Sequence, residues 1–484
     1  MAPDFNPPIP LLFLERMSRL LGNEYPAFAA ALEEKPVSGL RVNTLKLAAP
    51  QFLSITPFPL GDPVPWCNSA FIIPNSEFSF GKHPYHSAGL YYLQDPSAMV
   101  PAELLDPQPG ERILDLAAAP GGKTTALAAL MQGGGLLVAN EIKDKRLGHL
   151  AVNVERWGAG NVVITNETPE RLADHFGPFF DRVLVDAPCS GEGMFRKDMG
   201  ARRDWSPEMV AGCAVRQRNI LRVAAKLVRP GGYLLYSTCT FAPEEDEEVI
   251  NGLLNEQADG SGLAEFEVLP LPLFDGAEAG KPEWLEQNKF HKTEATLRGA
   301  LRLFPHRVTG EGHFACLVKR RESTDSETDK RIMKVDWSSD RLASPSLTQE
   351  RLWQAFAVEV LKTDFPADRL RLRGERLYFI PEKMPDCGSL RVVHPGVWLG
   401  TFKKERFEPA HPLAMHLHRG QARNMLNLPA DSREAAAYLR GETIPSTGAP
   451  GWTLVTVDGW PLGWGKRVQG VVKNHYPRGW QVYS

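Results

Sequence analysis

Two cysteines and an aspartate stand in a pattern that can do chemistry. Asp186-Ala-Pro-Cys189-Ser-Gly-Glu-Gly closes one short apolar run, Arg182–Val185, and Ser237-Thr-Cys239-Thr closes the next, 232–237. Both runs have the length and residue types of buried strands. In a doubly wound sheet ligands bind beyond the carboxyl ends of the strands, so adjacent strands would bring both thiols to one rim. Two thiols there suit methyl transfer to carbon 5 of cytosine. That carbon is a poor nucleophile until a thiolate adds to carbon 6 and pushes electron density onto it. The adduct collapses only after a base removes the proton on carbon 5. One cysteine can therefore make the bond while the other helps to release it. Asp186 is placed to hydrogen-bond or protonate the ring nitrogen, and true donation would need a raised pKa. The plain alternative is that free cysteines are small buried hydrophobes. Cys213 and Cys316, in a helical and an extended segment, read that way, and Cys67 and Cys387 carry no reading.

A nucleoside pocket precedes these motifs. The extended run Arg112–Leu116 enters Asp115-Leu-Ala-Ala-Ala-Pro-Gly-Gly-Lys-Thr124, which opens a helical stretch. A strand, a tight glycine turn and a helix N-terminus form a nucleotide-type site, with Gly121 and Gly122 allowing close approach of a ligand. Glu141, at the end of the next extended run, can take both ribose hydroxyls. A phosphate-binding P-loop would want glycine at 117, where this chain has alanine. The GxGxxG spacing of nicotinamide enzymes is also missing.

These motifs need a framework. At 484 residues the chain suggests about three domains. Extended runs at 112–116, 136–140, 162–165, 182–185 and 232–237 alternate with helical ones, which predicts a mostly parallel, doubly wound sheet. A helical start over Leu11 to Leu32 comes before it. Residues 321–330 are polar and read as a linker, and Trp452, Trp460, Trp464 and Trp480 lie among short strands near the end. The expected division is 1–85, an N-terminal extension; 86–320, the α/β domain; 321–334, a linker; 335–410, a small connecting domain; and 411–484, a β-rich module.

No run of about 18 apolar residues is present, and the N-terminus lacks a secretory pattern. Six scattered cysteines without a CxxC pair exclude a disulfide framework and a zinc knuckle and suit a reducing cytoplasm. The net charge of −3 conceals a division: residues 241–290 hold thirteen acids and two bases, and residues 401–484 hold eleven bases and six acids. The acidic stretch is expected to face away from any nucleic acid, and the basic end to meet it.

Taken together, these residues resemble the RNA cytosine-5 methyltransferases of the Nol/Nop/Sun type, in particular a bacterial ribosomal RNA group called RsmF. The segments that carry the resemblance are Gln94-Asp-Pro-Ser-Ala98, Ala118-Ala-Pro-Gly-Gly-Lys123, Asn140-Glu141 with Arg146, Asp186 to Met194, Arg196-Lys-Asp198, Tyr236 to Thr240, Arg302-Leu-Phe-Pro-His306 and Gly312-His-Phe314. The resemblance implies a Rossmann-like α/β methyltransferase core, with an α/β N-terminal extension and small C-terminal domains ending in a PUA-like module. It implies Cys239 as nucleophile, Cys189 as the residue of product release, and S-adenosyl-L-methionine as cofactor, with no metal. Cofactor contacts would come from Ala117, Ala118, Ala119, Pro120, Gly121, Gly122, Lys123, Glu141, Arg146 and Asp186, and from Asn166 or Thr168. The last of these stands where many relatives have aspartate. Cytosine-5 DNA methyltransferases lack the Thr-Cys-Thr motif, so the presence of both motifs implies RNA.

RNA contacts are expected from Arg41 and Asn43 in the extension, from Lys197, and from Lys466, Arg467, Lys473 and Arg478 at the end. The expected substrate is ribosomal RNA or the small ribosomal subunit, met by a cytoplasmic monomer away from any membrane. The rival readings are a transfer-RNA methyltransferase, an RNA-binding assembly factor that no longer methylates, and a thiol redox protein. The 50 residues between the two cysteines count against the last.

Overall fold

The computed structural model describes residues 7–74, 78–256, 265–285, 294–322 and 342–482. At its centre is a ten-stranded sheet. Five parallel strands form its middle: β1 (Arg112–Asp115), β2 (Leu136–Asn140), β3 (Val162–Thr165), β4 (Phe180–Asp186) and β5 (Val228–Thr238). β6 (Leu301–Leu303) and β7 (His313–Arg320) add antiparallel beyond β5, giving the order β3-β2-β1-β4-β5-β7-β6. β2 and β3 are buried at every position, as strands covered on both faces must be, and their sequences accordingly run apolar without alternation. The strand order reverses between β1 and β4, so a crevice opens at their carboxyl ends. β4 and β5 each begin earlier than the apolar runs predicted, and β5 takes in the Pro230-Gly-Gly segment.

Two helices matter for the site. α1 (Gly122–Leu130) leaves the glycine turn, and α2 (Asp144–Trp157) returns along the sheet. α2 buries Leu147, Leu150, Val154 and Trp157, one stripe at helical spacing, and Gly158 at φ +78° stops it.

The N-terminal part differs from the expected division. Helices Leu11–Leu21 and Tyr25–Glu33 are separated by a 3₁₀ turn and precede a four-stranded sheet. Its last strand, Tyr91–Gln94, pairs with Ser38–Val42, so this sheet closes only after residue 85. Arg41 and Asn43 are not on an outer surface for RNA. Arg41 donates to Gly122 O and Thr125 Oγ1, both at 2.8 Å, and lies 4.8 Å above the Trp157 ring. Asn43 donates to Gly89 O and Trp157 O. Both are buried and join the N-terminal sheet to α1 and α2.

Of the expected linker, residues 323–334 lie outside the described residues. Two small sheets follow, one of four strands over 370–409 and one of five over 425–474. Trp460 and Trp464 fill the interior of this region. One element went unforeseen: the strand Val392–His394 leaves the connecting domain and pairs with the outer edge of β3.

Candidate active site

β4 and β5 are parallel neighbours with Asp186 opposite Ser237, so the two cysteine loops leave the sheet side by side. Cys189 Sγ lies 3.2 Å from Cys239 Sγ, and both side chains are half-buried. The two thiols thus meet at one rim, as adjacency of the strands predicts, despite the 50 residues between them. Hydrogen bonding to Cys239, reinforced by burial, pushes the Cys189 thiol well above the ordinary cysteine range. The two sulfurs are within hydrogen-bond reach, and either can be the donor.

Two carboxylates tie the loops together. Glu192 accepts from the Phe241 amide at 3.0 Å, from Trp205 Nε1 at 2.9 Å and from Arg16. Glu245 accepts from the Ser190 amide at 2.9 Å and from Gln217 Nε2 at 2.8 Å, while the Ser190 and Thr240 hydroxyls pair at 2.9 Å. Glu245, Asp246 and Glu247 are fully buried, which corrects the expectation that the acidic stretch faces outward as a whole. Its first part lies behind the Cys239 loop, and Arg302 supplies the countercharge. Arg302 grips Glu247 through Nε at 2.7 Å and Nη2 at 2.5 Å, reaches Asp246 at 3.0 Å and donates to Phe241 O.

Burial pushes the Glu245 carboxyl up to about 7, against the hydrogen bonds that favour its charge. The folded chain keeps this proton where the unfolded chain, with a carboxyl near 4.3, has lost it. Stability should therefore fall as pH rises from about 4.3 to about 7 and then level off. Glu245→Gln should lose less stability over that interval than the unaltered protein, read from urea unfolding at pH 5 and pH 7.5. Equal losses would show that Glu245 titrates as it does in the unfolded chain.

Asp186 bridges the thiols and the glycine turn. Lys123 Nζ donates to its Oδ2 at 2.8 Å, Ser237 Oγ to its Oδ1 at 2.9 Å, and His313 Nε2 stands 3.7 Å from Oδ1. Burial alone would raise its pKa, but Lys123 and His313 outweigh burial and hold the carboxylate well below its ordinary range. In this arrangement Asp186 is an acceptor, and the raised pKa that proton donation needs is not found.

The turn over 117–122 packs as a nucleoside site requires. Its Ala118 amide bonds Asn140 O at 2.8 Å, and Gly121 has φ +109° with the Leu150 side chain closing the space a Cβ would use. Asp115 is buried below it; Thr124 satisfies one oxygen at 2.7 Å, the other has no hydrogen-bond partner among the described residues, and burial pushes the carboxyl up to about 7. Glu141 Oε1 takes the Lys143 amide, whereas the buried Oε2 has no hydrogen bond among the described residues and faces Arg146 at 3.2 Å. A buried carboxylate with one oxygen not engaged in a hydrogen bond, beside a glycine turn, fits a ribose with two hydroxyls. Arg146 also donates to the Ala119 carbonyl. Asn166 Nδ2 donates to Glu141 O at 2.7 Å and so borders the pocket, whereas the Thr168 hydroxyl caps the helix Pro169–Phe176.

Ala117 to Lys123, Glu141, Arg146, Asn166, Asp186 and the two cysteines therefore converge. The other expected contacts scatter. Lys197 stands 3.5 Å from Glu311 and 3.7 Å from Asp95. Arg467 is buried and donates to Ala449 O, which corrects its expected RNA contact. Lys466, Lys473 and Arg478 are exposed, and the two lysines lie opposite each other on adjacent strands. The roles of Glu192, Glu245 and His313 escaped the sequence reading, although Glu192 and His313 stand inside quoted motifs and Glu245 lies five residues beyond one.

Comparison with known proteins agrees with this geometry. Residues 102–319 match the family described as 16S rRNA methyltransferase RsmB/F. The curated ribosomal RNA small subunit methyltransferase F of Vibrio vulnificus is 33% identical over 483 residues, spanning 97% of each chain. This chain belongs to the RsmF family. The family's other parts follow in order: its N-terminal domain over 9–96, its first C-terminal domain over 355–417 and its PUA domain over 426–482. The RsmF relative of Shewanella oneidensis is 33% identical over 93% of this chain and 92% of its own. Among solved structures, a methyltransferase homologue from Pyrococcus horikoshii superposes with TM-score 0.55 at 31% identity, covering 64% of this chain and 94% of its own. A second, NSun6 from Pyrococcus horikoshii with SFG, shares the fold at TM-score 0.54 and 21% identity, covering 65% of this chain and 99% of its own.

Proposed function

We propose that this RsmF-family chain methylates carbon 5 of a cytosine in small-subunit ribosomal RNA through a covalent cysteine–cytosine adduct, using S-adenosyl-L-methionine. The observation that carries the reading is the pair of thiols 3.2 Å apart beside the Lys123–Asp186 pair, at the rim of a nucleoside pocket. The choice of RNA follows the relatives, which are named for the small ribosomal subunit.

The cofactor would lie between the glycine turn and Glu141, and it supplies an electrophilic methyl group. A paired target base would have to be flipped out to reach the rim. Cys239, as thiolate, bonds to carbon 6, and the displaced electron pair moves to carbon 5, which takes the methyl. A base takes the carbon-5 proton, the C–H electron pair re-forms the ring double bond, and the carbon–sulfur bond breaks to release the Cys239 thiolate. Cys189 stands where it can protonate or relay for that leaving thiolate. Asp186, held ionised, accepts a hydrogen bond from the base edge, and the Lys123 ammonium beside it stabilises charge that builds on the ring. Every one of these groups comes from one chain, so a cytoplasmic monomer suffices.

Bisulfite sequencing of ribosomal and transfer RNA from cells with and without the gene tests the reading. Loss of one or a few 5-methylcytosines in small-subunit RNA is the expected result. A lost transfer-RNA site instead would keep the chemistry and replace the substrate. No change in either pool would favour an RNA-binding factor without catalysis.

A further inference from the structure

A second concave site lies along α1, away from the thiols. It is a cavity of about 780 Å³ between the N-terminal sheet, the far ends of α1 and α2, and the C-terminal region. α1 starts at the cofactor turn, and its Ala126, four residues on and roughly 6 Å along the axis at 1.5 Å per residue, already lines the cavity, followed by Ala129 and Leu130. This volume is of nucleotide-site size.

Its wall holds cations that make no salt bridge among the described residues. Lys46 donates to two carbonyls, Ala88 O at 2.7 Å and Arg156 O at 3.2 Å, and makes no ion pair among the described residues. Arg369 donates to Ile380 O and lies 4.0 Å over the Phe379 ring; it feels the charges of Glu382 and Asp368 but makes no salt bridge among the described residues. Two further donors of the wall, Arg41 Nε and Trp157 Nε1, are buried and have no acceptor among the described residues. Glu103, the wall's one carboxyl, takes the Cys67 thiol at 3.0 Å, and burial drives it toward its neutral form. The bases disfavour one another's charge: burial and Arg156 lower Lys46 to about 7, and burial, with Lys46 and Arg369 among the neighbours, lowers His416. An anion with several acceptor oxygens would satisfy the free donors and relieve this repulsion together.

We propose that this cavity holds a phosphate-bearing nucleotide, a backbone phosphodiester of the RNA substrate some nucleotides away from the target cytosine. The inference rests on the reading that the substrate is RNA. It makes Lys46, Arg369 and the exposed His418 at the mouth a second RNA subsite, set apart from the PUA-like end.

The test titrates the full chain with a short cytosine-free RNA oligonucleotide, with AMP and with S-adenosylmethionine, by calorimetry at several salt concentrations. Arg369→Gln should weaken the oligonucleotide about tenfold and reduce the slope of log affinity against log salt by about one. His418→Glu, at an exposed position that spares the fold, should also weaken it about tenfold. S-adenosylmethionine affinity should stay unchanged in both. Unaltered oligonucleotide affinity in both variants would overturn the proposal. AMP binding that both variants abolish, with oligonucleotide binding intact, would overturn RNA as the source. Weakened oligonucleotide binding by a chain that leaves ribosomal RNA unmethylated would uphold the subsite and sink the proposed reaction instead.

Discussion

Cys189→Ala is expected to turn the protein into a trap that stays bonded to its RNA. Without the second thiol 3.2 Å from Cys239, methyl transfer can proceed but release cannot. A protein–RNA band stable to denaturation should accumulate on a gel, at near one RNA per protein. Cys239→Ala should form no such band and should lose methylation by at least about a thousandfold, the scale expected when a covalent nucleophile is removed. The reverse pattern would exchange the two roles, and its physical cause would lie in which thiol ionises first. A band in neither variant and in the double variant alike would exclude the covalent route.

Arg302→Met is expected to cost about 3–5 kcal/mol of unfolding free energy, the range found when one partner of a buried ion pair is removed. Arg302 is 1% exposed and faces Glu247 and Asp246, both 0% exposed, so no water replaces it. Asp246 is pushed well above its ordinary pKa by burial, with Glu247 adding, against the pull of Arg302. Arg302 is the cation that both buried side chains face, and removing it leaves buried acid groups without their countercharge. Urea unfolding at neutral pH measures the loss. A change under about 1 kcal/mol would overturn the reading that this cluster depends on its cation. Because Arg302 also holds Phe241 O, two residues from Cys239, the variant should methylate more slowly even where it stays folded.

Much of the sheet and the centre of the site were legible in the sequence. The apolar runs located β1 to β5, and strand adjacency alone brought Cys189 and Cys239 to one rim. What escaped was information that depends on distant pairing. Glu245, Asp246 and Glu247 look like part of a solvated acidic run; Arg302, more than fifty positions later, explains the burial of the last two, and Ser190 and Gln217 that of Glu245. Arg41 and Arg467 show the same limit: an arginine reads as a surface cation until its carbonyl partners are known. The state of Asp186 could not be read either, since it depends on Lys123 from another strand's loop and His313 from β7.

The strand Val392–His394 gives the catalytic sheet a dependence on time. β3 is complete once residue 165 has emerged during synthesis, but the strand that covers its edge is made more than two hundred residues later. At about 5–20 residues per second, the nascent core waits some ten seconds or more with a row of unpaired amides and carbonyls facing outward. The Asn166 amide, beside the cofactor pocket, waits for Arg391 O through the same interval. The methyltransferase core is therefore finished by the chain's own later half. A chain cut after residue 322 would keep every catalytic group and lose the cover on one edge of its sheet.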